Sequence, residues 1–279
     1  ALDAAMGHGF EEAAPDTDAI IADPAIDAVV IATRHGSHAG LVLQALDAGK
    51  HVFVEKPLCL TLSELEAIES RCAALAEAGG APVLMVGFNR RFAPHVVKMK
   101  ALLGTLAGPK AFVVTVNAGA VPPGHWTQDS EEGGGRIVGE ACHFVDLLRH
   151  LAGCPIAGCS KTATPGATGD TASLTLAFED GSIGTVHYFA GGHRSFPKER
   201  IEVFAGGRML QLDNFRRLNG FGWPGFRAMR LWRQDKGHGA CMAAFLDALR
   251  RGGPPPIAVS EIIEVSRHSV ALSGRAEAE

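Results

Sequence analysis

The amino-acid sequence has no run of like charges and no apolar run as long as a membrane span. Its formal net charge is −4 over 279 residues, whereas binding to phosphate backbones requires a basic face. The amino-terminal letters ALDAAMGHGF do not show the basic-then-apolar pattern of a signal segment. We therefore expect neither a nucleic acid nor a membrane as a partner.

The sequence also lacks the spacings that mark disulfide frameworks and metal sites. Its six cysteines are scattered, and none of them forms a C-x-x-C pair. They are typical of small buried residues in a reduced compartment, which predicts a cytoplasmic protein. No H-x-x-x-H or H-x-H spacing accompanies a suitable acid, so a metal hydrolase has little support and no metal ligand is predicted.

What is present is enough apolar sequence for a core, since 47% of the residues are hydrophobic. A continuous apolar run predicts a strand over residues 28–32 that is covered on both faces, as in a parallel sheet. Helical and strand patterns then alternate through SHAGLVLQALDAG, HVFVE, TLSELEAIESRCAALAEAGG and APVLMVGF. This alternation predicts an α/β layer around a parallel sheet.

The pattern changes after about residue 93. Longer strands are predicted in AFVVTVNAGAV, DTASLTLAFEDGSIGTVHYFAGG and ERIEVFAGGRMLQLDN, with hairpin turns at EDGS and AGGR. One helix is predicted over 141–152, closed by Gly153, and two more helices end the chain. We therefore predict two domains, 1–93 and 94–279. The second is an α+β domain with a large mixed or antiparallel sheet, and its C-terminal helices pack back on the first.

Polar clusters follow each of the three predicted parallel strands. The clusters are Thr33, Arg34 and His35, then Glu55, Lys56 and Pro57, and finally Asn89, Arg90 and Arg91. Polar residues commonly follow strands, so one such cluster would mean little. Three clusters on one edge are more specific, because ligands of open parallel sheets bind beyond the carboxyl ends of the strands. We therefore predict a cofactor site at this edge.

Five stretches, in this order and over nearly the whole chain, carry a family resemblance. They are IDAVVIAT, SHAGLVLQALDAGKHVFVEKPL, GFNRRFAPHV, GGGRIVGEACHFVDLLRHLAG and FLDALRRGG. In these the chain resembles the Gfo/Idh/MocA oxidoreductases, of the glucose–fructose oxidoreductase and inositol dehydrogenase type. GHWTQDSEEGGGRIVGEACHFVDL and RQDKGH look closer to a branch in which this module follows a zinc-type alcohol dehydrogenase-like half. The resemblance implies a partial Rossmann domain over 1–93 and a substrate and oligomerisation domain over 94–279.

The resemblance also implies the chemistry. Hydride passes between NAD or NADP and a secondary hydroxyl of a sugar, nucleotide sugar or cyclitol. The lysine of E-K-P, here Lys56, would stabilise the developing alkoxide, and the following proline can lie in a cis peptide. The histidine of H-x-x-D, here His143, would be its acid–base partner. The cofactor residues implied are Thr33, Arg34, His35, His38, Glu55, Lys56, Asn89 and Arg91.

One position departs from the family pattern. Many members carry an aspartate four residues before the histidine, and this chain has Gly139 there, followed by Glu140. Either Glu140 replaces the aspartate as a third catalytic residue, or the site is reduced to Lys56 and His143. A shift of one residue redirects a side chain, so the two alternatives are not equivalent. Glu140 can also be a helix N-terminal acid that the macrodipole favours.

Substrate contacts are expected from Trp126, Asp129 and Asp146. Trp126 lies in a loop rich in proline and glycine, where its ring either stacks on sugar C–H faces or anchors the loop. Asp146 is one helical turn after His143, a position from which we expect it to orient or cap rather than react.

No strand, G-x-G-x-x-G turn and helix precede IDAVVIAT, although this unit opens the family's fold and binds the pyrophosphate. We therefore expect this chain to bind dinucleotide weakly or not at all, and the 28–32 strand to be exposed unless a partner covers it. The alternative function is a non-catalytic sugar-binding or oligomerisation module of a larger dehydrogenase. The resemblance further implies a homodimer or homotetramer formed through the open sheet.

Overall fold

The computed structural model describes Gly7, residues 9–165 and residues 169–274. Within this part of the chain the strands form two sheets. The first sheet has three parallel strands in the order β1 (Ala28–Ile31), β2 (His51–Val54) and β3 (Leu84–Val86). Parallel neighbours need crossover connections, and helices supply them here. The predicted α/β layer with a parallel sheet is confirmed.

Three helices accompany this first sheet. They are α1 (Thr17–Ala22), α2 (His38–Asp47) and α3 (Leu62–Ala78). The crossover helices α2 and α3 pack against each other on one face of the sheet. Thr61 begins α3 through a capping box, because its hydroxyl accepts from the Glu64 amide at 3.2 Å and the Glu64 carboxylate accepts from the Thr61 amide at 3.1 Å.

The second sheet is the large one, and it is mixed as predicted. Its eight strands lie in the order β11–β10–β9–β8–β4–β7–β6–β5, and only the β4–β7 pair is parallel. The strands are β4 (Ala111–Asn117), β5 (Ile156–Ala163), β6 (Ala172–Phe178), β7 (Ile183–Phe189), β8 (Glu199–Ala205), β9 (Arg208–Asp213), β10 (Arg217–Phe221) and β11 (Ala228–Arg230). Both predicted hairpins, at EDGS and AGGR, are present.

Four further helices connect and cover the two sheets. They are α4 (Pro94–Leu103), α5 (Cys142–Ala152), α6 (His238–Arg251) and α7 (Val259–Ser273). A π turn, Ile137–Ala141, leads into α5, and Gly153 closes that helix in a left-handed conformation with φ 82°. Helix α7 packs against α3, α5 and β3, so it lies between the two sheets. None of the helices in the described ranges is long and apolar enough to cross a bilayer.

The edge strand β1 differs from its prediction. Phe53 of β2 is covered by Phe245 of α6, with ring centroids 5.6 Å apart. The neighbouring side chain on the same face, Val30 of β1, is 58% exposed. The expectation that both faces of this strand are covered is therefore wrong for the described residues, because α6 reaches the central strand and not the edge. The exposure of Val30 agrees with the other expectation, that this strand is exposed unless a partner covers it.

Candidate active site

A cavity of about 290 Å³ lies where the carboxyl ends of the parallel strands meet the inner face of the large sheet. It brings together five of the predicted site residues, namely His35, Lys56, Trp126, Glu140 and His143. Its other lining residues are Arg90, Val116, Thr127, Phe144, Tyr188, Lys198 and Glu199. The cavity therefore combines several cations with two carboxylates and two imidazoles.

Lys56 projects from the turn that follows β2. The Lys56–Pro57 peptide bond is cis, as the resemblance implies. The Lys56 ammonium donates a hydrogen bond to the carbonyl oxygen of Gly139 at 2.8 Å. This bond connects the lysine to the π turn that precedes α5. The cation therefore lies near the N-terminal end of the helix that carries His143.

His143 lies in the first turn of α5 and is 7% exposed. Burial lowers its pKa well below 6.5, and the nearby cations Arg90 and Lys56 lower it further. The Nδ1 atom is buried, and neither ring nitrogen has a hydrogen-bond partner among the described residues. His143 is therefore a neutral imidazole with free acceptor capacity inside the cavity.

Glu140 is held by two donors. Arg136 Nε donates to Glu140 Oε1 at 2.9 Å, and the Tyr188 hydroxyl donates to Oε2 at 2.7 Å. Burial by itself would raise the pKa of Glu140, but these hydrogen bonds and the Arg136 charge outweigh burial and lower it. Burial and the Glu140 carboxylate raise the pKa of the Tyr188 hydroxyl. Glu140 therefore stands as an ionised carboxylate at the cavity wall.

The loop after residue 125 closes one side of the cavity. His35 Nδ1 bonds to the Gly133 carbonyl oxygen at 2.8 Å, and the His35 and Trp126 rings meet edge to face at 4.8 Å. Arg34 forms an ion pair with Glu132, so this predicted cofactor residue fastens the loop instead of entering the cavity. The loop and the turn after β1 thus act as one wall.

Asp129 lies outside the cavity lining. Its Oδ1 accepts from the backbone amides of Glu131 and Glu132, both at 2.8 Å. These bonds lower the pKa of Asp129 and shape the loop. Asp129, a predicted substrate contact, therefore stabilises the loop backbone and does not lie in the cavity with the other predicted site residues.

Arg91 and Asp146 are also not brought to the cavity, because they pair with each other. Arg91 Nε donates to Asp146 Oδ2 at 3.1 Å, and Nη1 donates to Glu261 at 2.8 Å. Both partners of the Arg91–Asp146 pair are buried. Burial raises the pKa of Asp146 against the opposing effect of Arg91. The ion pairs join the turn after β3 to helices α5 and α7.

His38 and Thr33 form hydrogen bonds that stabilise the turns at the carboxyl edge of the first sheet. The two ring nitrogens of His38 face the carbonyl oxygens of Pro57 at 2.7 Å and Thr33 at 3.1 Å. The Thr33 and Ser37 hydroxyls bond to each other at 2.6 Å. His38 therefore links the turns that follow β1 and β2, and it holds Pro57 beside the cavity.

Two other predicted cofactor residues also lie beside the cavity lining. Asn89 Nδ2 donates to the Lys236 carbonyl oxygen at 2.7 Å, which ties the turn after β3 to the segment before α6. The Glu55 carboxylate lies over the backbone of Gly87, where an added Cβ would come within 3.0 Å of Glu55 Oε2. Both residues therefore support the turns from which cavity residues project.

Sequence reasoning missed a buried ion cluster at the opposite wall. Glu199 is 1% exposed, and its Oε1 accepts from Arg90 at 2.9 Å and from Lys236 at 3.0 Å. Its Oε2 is buried without a partner among the described residues. The period-two pattern of β8 could have found this acid, since Glu199 points to the same face as the buried Ile201 and Val203.

The residues present fit the nicotinamide end of a dinucleotide. A partly polar cavity opens at the carboxyl edge of a parallel sheet, and it contains an unpartnered imidazole next to a lysine. Thr33, His35, Glu55 and Lys56 lie on the two turns at that edge. No group of three histidine, cysteine, aspartate or glutamate residues in the described ranges could hold a metal ion.

Comparison with known protein families gives two matches from one family. Residues 2–88 match the GFO/IDH/MocA model described as an oxidoreductase family with an NAD-binding Rossmann fold, and residues 99–208 match the GFO/IDH/MocA C-terminal domain. A myo-inositol 2-dehydrogenase of Thermotoga maritima is 30% identical over 220 residues, which are 75% of this chain and 63% of that protein. The chain thus spans less than two thirds of the length of this relative.

Solved structures show the same fold. An oxidoreductase domain protein from Kribbella flavida superposes with a TM-score of 0.86 at 22% identity, over 99% of this chain and 85% of that one. A levoglucosan dehydrogenase in complex with NADH and levoglucosan superposes with a TM-score of 0.84 at 23% identity, over 100% of this chain and 85% of that one. At these identities the likeness concerns the architecture.

Proposed function

Because the chain belongs to the Gfo/Idh/MocA family of oxidoreductases, we propose that its cavity oxidises a secondary hydroxyl of a sugar, nucleotide sugar or cyclitol, with NAD or NADP as hydride acceptor. The observation that carries the proposal is the meeting of Lys56 and His143 in one cavity. A cation and a neutral imidazole are what removal of a hydroxyl proton requires. Relatives named as dehydrogenases of myo-inositol and levoglucosan act on substrates of the same class.

The residues divide the proton chemistry between them. A ring nitrogen of neutral His143 accepts the proton of the reacting hydroxyl. The Lys56 ammonium, already oriented by its hydrogen bond to Gly139, stabilises the negative charge that develops on the oxygen. When bound, the nicotinamide supplies the acceptor for the hydride, so that the alcohol carbon becomes a ketone. In the reverse direction the imidazolium returns the proton.

We propose that Glu140 belongs to this site. Its carboxylate lines the cavity, and its donors Arg136 and Tyr188 keep it ionised. In this position it faces the Lys56 charge and accepts a hydrogen bond from a substrate hydroxyl. Trp126, which forms part of the cavity wall, gives the sugar or cyclitol ring an apolar surface.

We propose cofactor contacts for Thr33, Glu55 and Lys56, which lie on the turns at the nicotinamide end. Arg34, His38 and Asn89 support these turns through the bonds described above. Arg91, Asp146 and Asp129 stabilise the protein around the site. We also retain the division near residue 93, which the two matched ranges support, and a cytoplasmic location, which six free cysteines support.

We further propose that the outer face of the large sheet joins subunits into a dimer or tetramer. Strand register places an apolar row across this face, consisting of Phe221, Met209, Phe204, Ala111 and Ile183. Phe204 is 44%, Phe221 52% and Ile183 58% exposed. A concavity of about 950 Å³ beside this row is lined by residues of β9, β10 and β11 and holds none of the predicted site residues. An apolar row of this size is typical of an interface.

The test follows NADH or NADPH formation with a panel of cyclitols and sugars, and titrates both cofactors by calorimetry. We expect turnover with at least one cyclitol or sugar at cofactor concentrations high enough to offset the weak dinucleotide binding that the sequence predicts. Lys56→Ala should lower kcat by about 10²-fold or more, since general acid–base and electrostatic groups each contribute that much. Lys98→Ala is the matched control, because Lys98 lies over Phe226 outside the cavity.

Two outcomes would contradict the proposal that this chain is a dehydrogenase. One is sugar binding without any cofactor turnover, which is the result expected of a non-catalytic module. The other is an active protein whose Lys56→Ala variant retains full kcat. Calorimetry separates a failure of cofactor binding from a failure of chemistry.

A further inference from the structure

His35 occupies the space that Gly139 leaves free. A Cβ added at Gly139 would lie 2.8 Å from His35 Cε1, which is closer than real Cβ contacts allow, and 3.2 Å from Nδ1, which is a tight contact. The imidazole therefore packs directly against a residue without a side chain. The carbonyl oxygen of the same Gly139 accepts the hydrogen bond from Lys56 at 2.8 Å. His35 and Lys56 thus converge on one residue, and His143 follows it by one helical turn.

The hydrogen bonding of His35 fixes its tautomer. A carbonyl oxygen only accepts, so Nδ1 must carry the proton that it shares with Gly133 at 2.8 Å. In a neutral ring Nε2 is then an unprotonated acceptor. Nε2 has no partner among the described residues, although the ring lines the cavity. Edge contact with Trp126 at 4.8 Å holds the ring plane in place.

The surroundings of His35 keep the ring neutral. Burial lowers its pKa to about 4, the cation of Lys56 and the ring of His38 lower it further, and the Gly133 carbonyl and Glu140 oppose this. At neutral pH the cavity therefore presents two neutral imidazoles, His35 and His143, and the Lys56 ammonium lies near both. A single hydroxyl needs only one proton acceptor, so the second imidazole is left for another polar group of the ligand.

We propose that His35 is a substrate-binding and specificity-determining residue, and that its Nε2 accepts the hydroxyl on the carbon next to the reacting one. The site would therefore select vicinal diols, with the reacting hydroxyl at Lys56 and His143 and its neighbour at His35. This proposal rests on the proposed function and adds to it the residue that recognises the hydroxyl next to the reacting one. Gly139 is part of the device, because any side chain there would displace the ring.

The binding test needs no turnover. Full-length chain with ¹⁵N-labelled histidine is titrated with cis-1,2-cyclohexanediol and, separately, with cyclohexanol, in the presence of NADH. His35→Gln assigns the His35 resonances. We expect Nε2 of His35 to resonate as an unprotonated nitrogen and to shift on addition of the diol, with no shift on addition of the mono-alcohol. A protonated Nε2, or equal shifts with both alcohols, would overturn the proposal.

The kinetic test compares kcat/KM for the same two alcohols. His35→Ala should lower the diol-to-monoalcohol ratio by about three- to tenfold, the worth of one hydrogen bond, through KM more than kcat. Gly139→Ala should lower the ratio likewise, and His35→Gln, which restores an acceptor, should recover part of it. His187→Ala is the control, since His187 bonds to Ser173 on the outer sheet face.

The diol-to-monoalcohol ratio distinguishes a lost hydrogen bond to the substrate from a loosened loop. A loosened loop would lower kcat/KM for both alcohols alike and leave their ratio unchanged. An unchanged ratio in His35→Ala would overturn the proposal. So would a loss of NADH affinity without a change in the ratio, because that result would place the ring against the cofactor. If neither alcohol is oxidised by any variant, the proposed function fails, while the resonance shifts still decide whether His35 binds the diol.

Discussion

At the scale of single residues, the histidines are defined by burial. Burial lowers the pKa of His35 to about 4 and that of His150 to about 3, and it lowers that of His143 well below 6.5. The fold therefore holds all three as neutral imidazoles, whereas the unfolded chain would protonate them below about 6.5. For the two cavity histidines this neutrality is useful, because only an unprotonated nitrogen accepts a hydroxyl proton.

These histidines predict a loss of stability in acid. Because their folded-state pKa values are depressed, the free energy of unfolding is highest above pH 6.5 and falls between 6.5 and about 4, where only the unfolded chain takes up protons. Each histidine that stays neutral in the folded protein should lower the free energy of unfolding at pH 5 by about 2 kcal/mol. Urea unfolding at pH 7, 6 and 5 measures the slope.

His150→Gln provides the matched variant, since His150 lies outside the active-site cavity. Its facing charges are Arg91, Lys100 and Arg149, which lower its pKa after burial, and Glu261, which raises it. The variant should lose stability less steeply on acidification than the parent. Equal slopes would show that His150 is protonated in the folded protein.

Polar residues that follow the parallel strands lie in different environments in the folded protein. Lys56 and Arg91 both follow parallel strands, yet Lys56 faces the cavity and Arg91 is buried against Asp146. Sequence position places both at the sheet edge and cannot say whether a cation meets a ligand or a carboxylate. The Arg91–Asp146 pair joins residues 55 apart in the chain, and that contact exists only after α5 has packed against the first sheet.

At the scale of elements, the wall made by the loop after residue 125 and the turn after β1 depends on two close approaches. The Gly36 amide donates to the Glu132 carbonyl oxygen at 3.0 Å, and a Cβ at Gly36 would overlap the carbonyl oxygen of Glu131. Gly133 is similarly packed against the backbone of Trp126 and Thr127. The absence of side chains lets these two segments touch, and this contact positions His35 and Trp126.

Gly36→Ala should therefore open this wall. The added methyl meets backbone, so the loop has to move away, and we expect kcat/KM to fall by about tenfold or more, as misplaced contact residues cause. Hydrogen exchange of residues 126–135 should become faster. Gly40→Ala is the control, because nothing lies within 4 Å of its Cβ in helix α2 and the change should stabilise that helix by about 0.5 kcal/mol.

An unchanged exchange rate in Gly36→Ala would show that the loop is held by other contacts. Loss of activity in Gly40→Ala to the same degree would show that the effect is not specific to the wall. The Arg34–Glu132 ion pair, about half exposed at both ends, should contribute little to either readout.

Helices and strands with a strong hydrophobic period or a clear turn signal were predictable from the sequence. Those with a weak hydrophobic pattern were not. The helices and strands of the first sheet, the two hairpins and helix α5 have long apolar periods or clear turn signals. Sequence reasoning did not predict β5, β10, β11 or α4. Strands β10 and β11 are short and have no clear hydrophobic period, so pairing defines them: β10 pairs with β9, and β11 pairs with β10.

At the scale of the whole molecule, the outer face of the large sheet is an exposed surface with an apolar row across it. If this face joins subunits, Phe204→Glu combined with Phe221→Lys should convert the oligomer to a monomer, because charges would be buried in an apolar interface. Sedimentation velocity measures the change. Val97→Glu is the control, since Val97 is 55% exposed on α4, away from this sheet.

A parent chain that sediments as a monomer would contradict the proposal, and so would a double variant that remains an oligomer. The double variant should keep the fold, because both phenylalanines point away from the core. Its circular dichroism should therefore match that of the parent.

The sequence by itself determined the family, the order of the helices and strands around the first sheet, and the identity of the lysine and histidine that carry the proposed chemistry. These properties are local, since a short motif or a hydrophobic period specifies them. Tertiary structure decided which polar residues meet. It paired Arg91 with Asp146, brought the Tyr188 hydroxyl to Glu140, buried Glu199 beside Arg90, and placed His35 against Gly139. These contacts join residues far apart in the chain, so they form only when the two sheets pack together, and no local pattern encodes them.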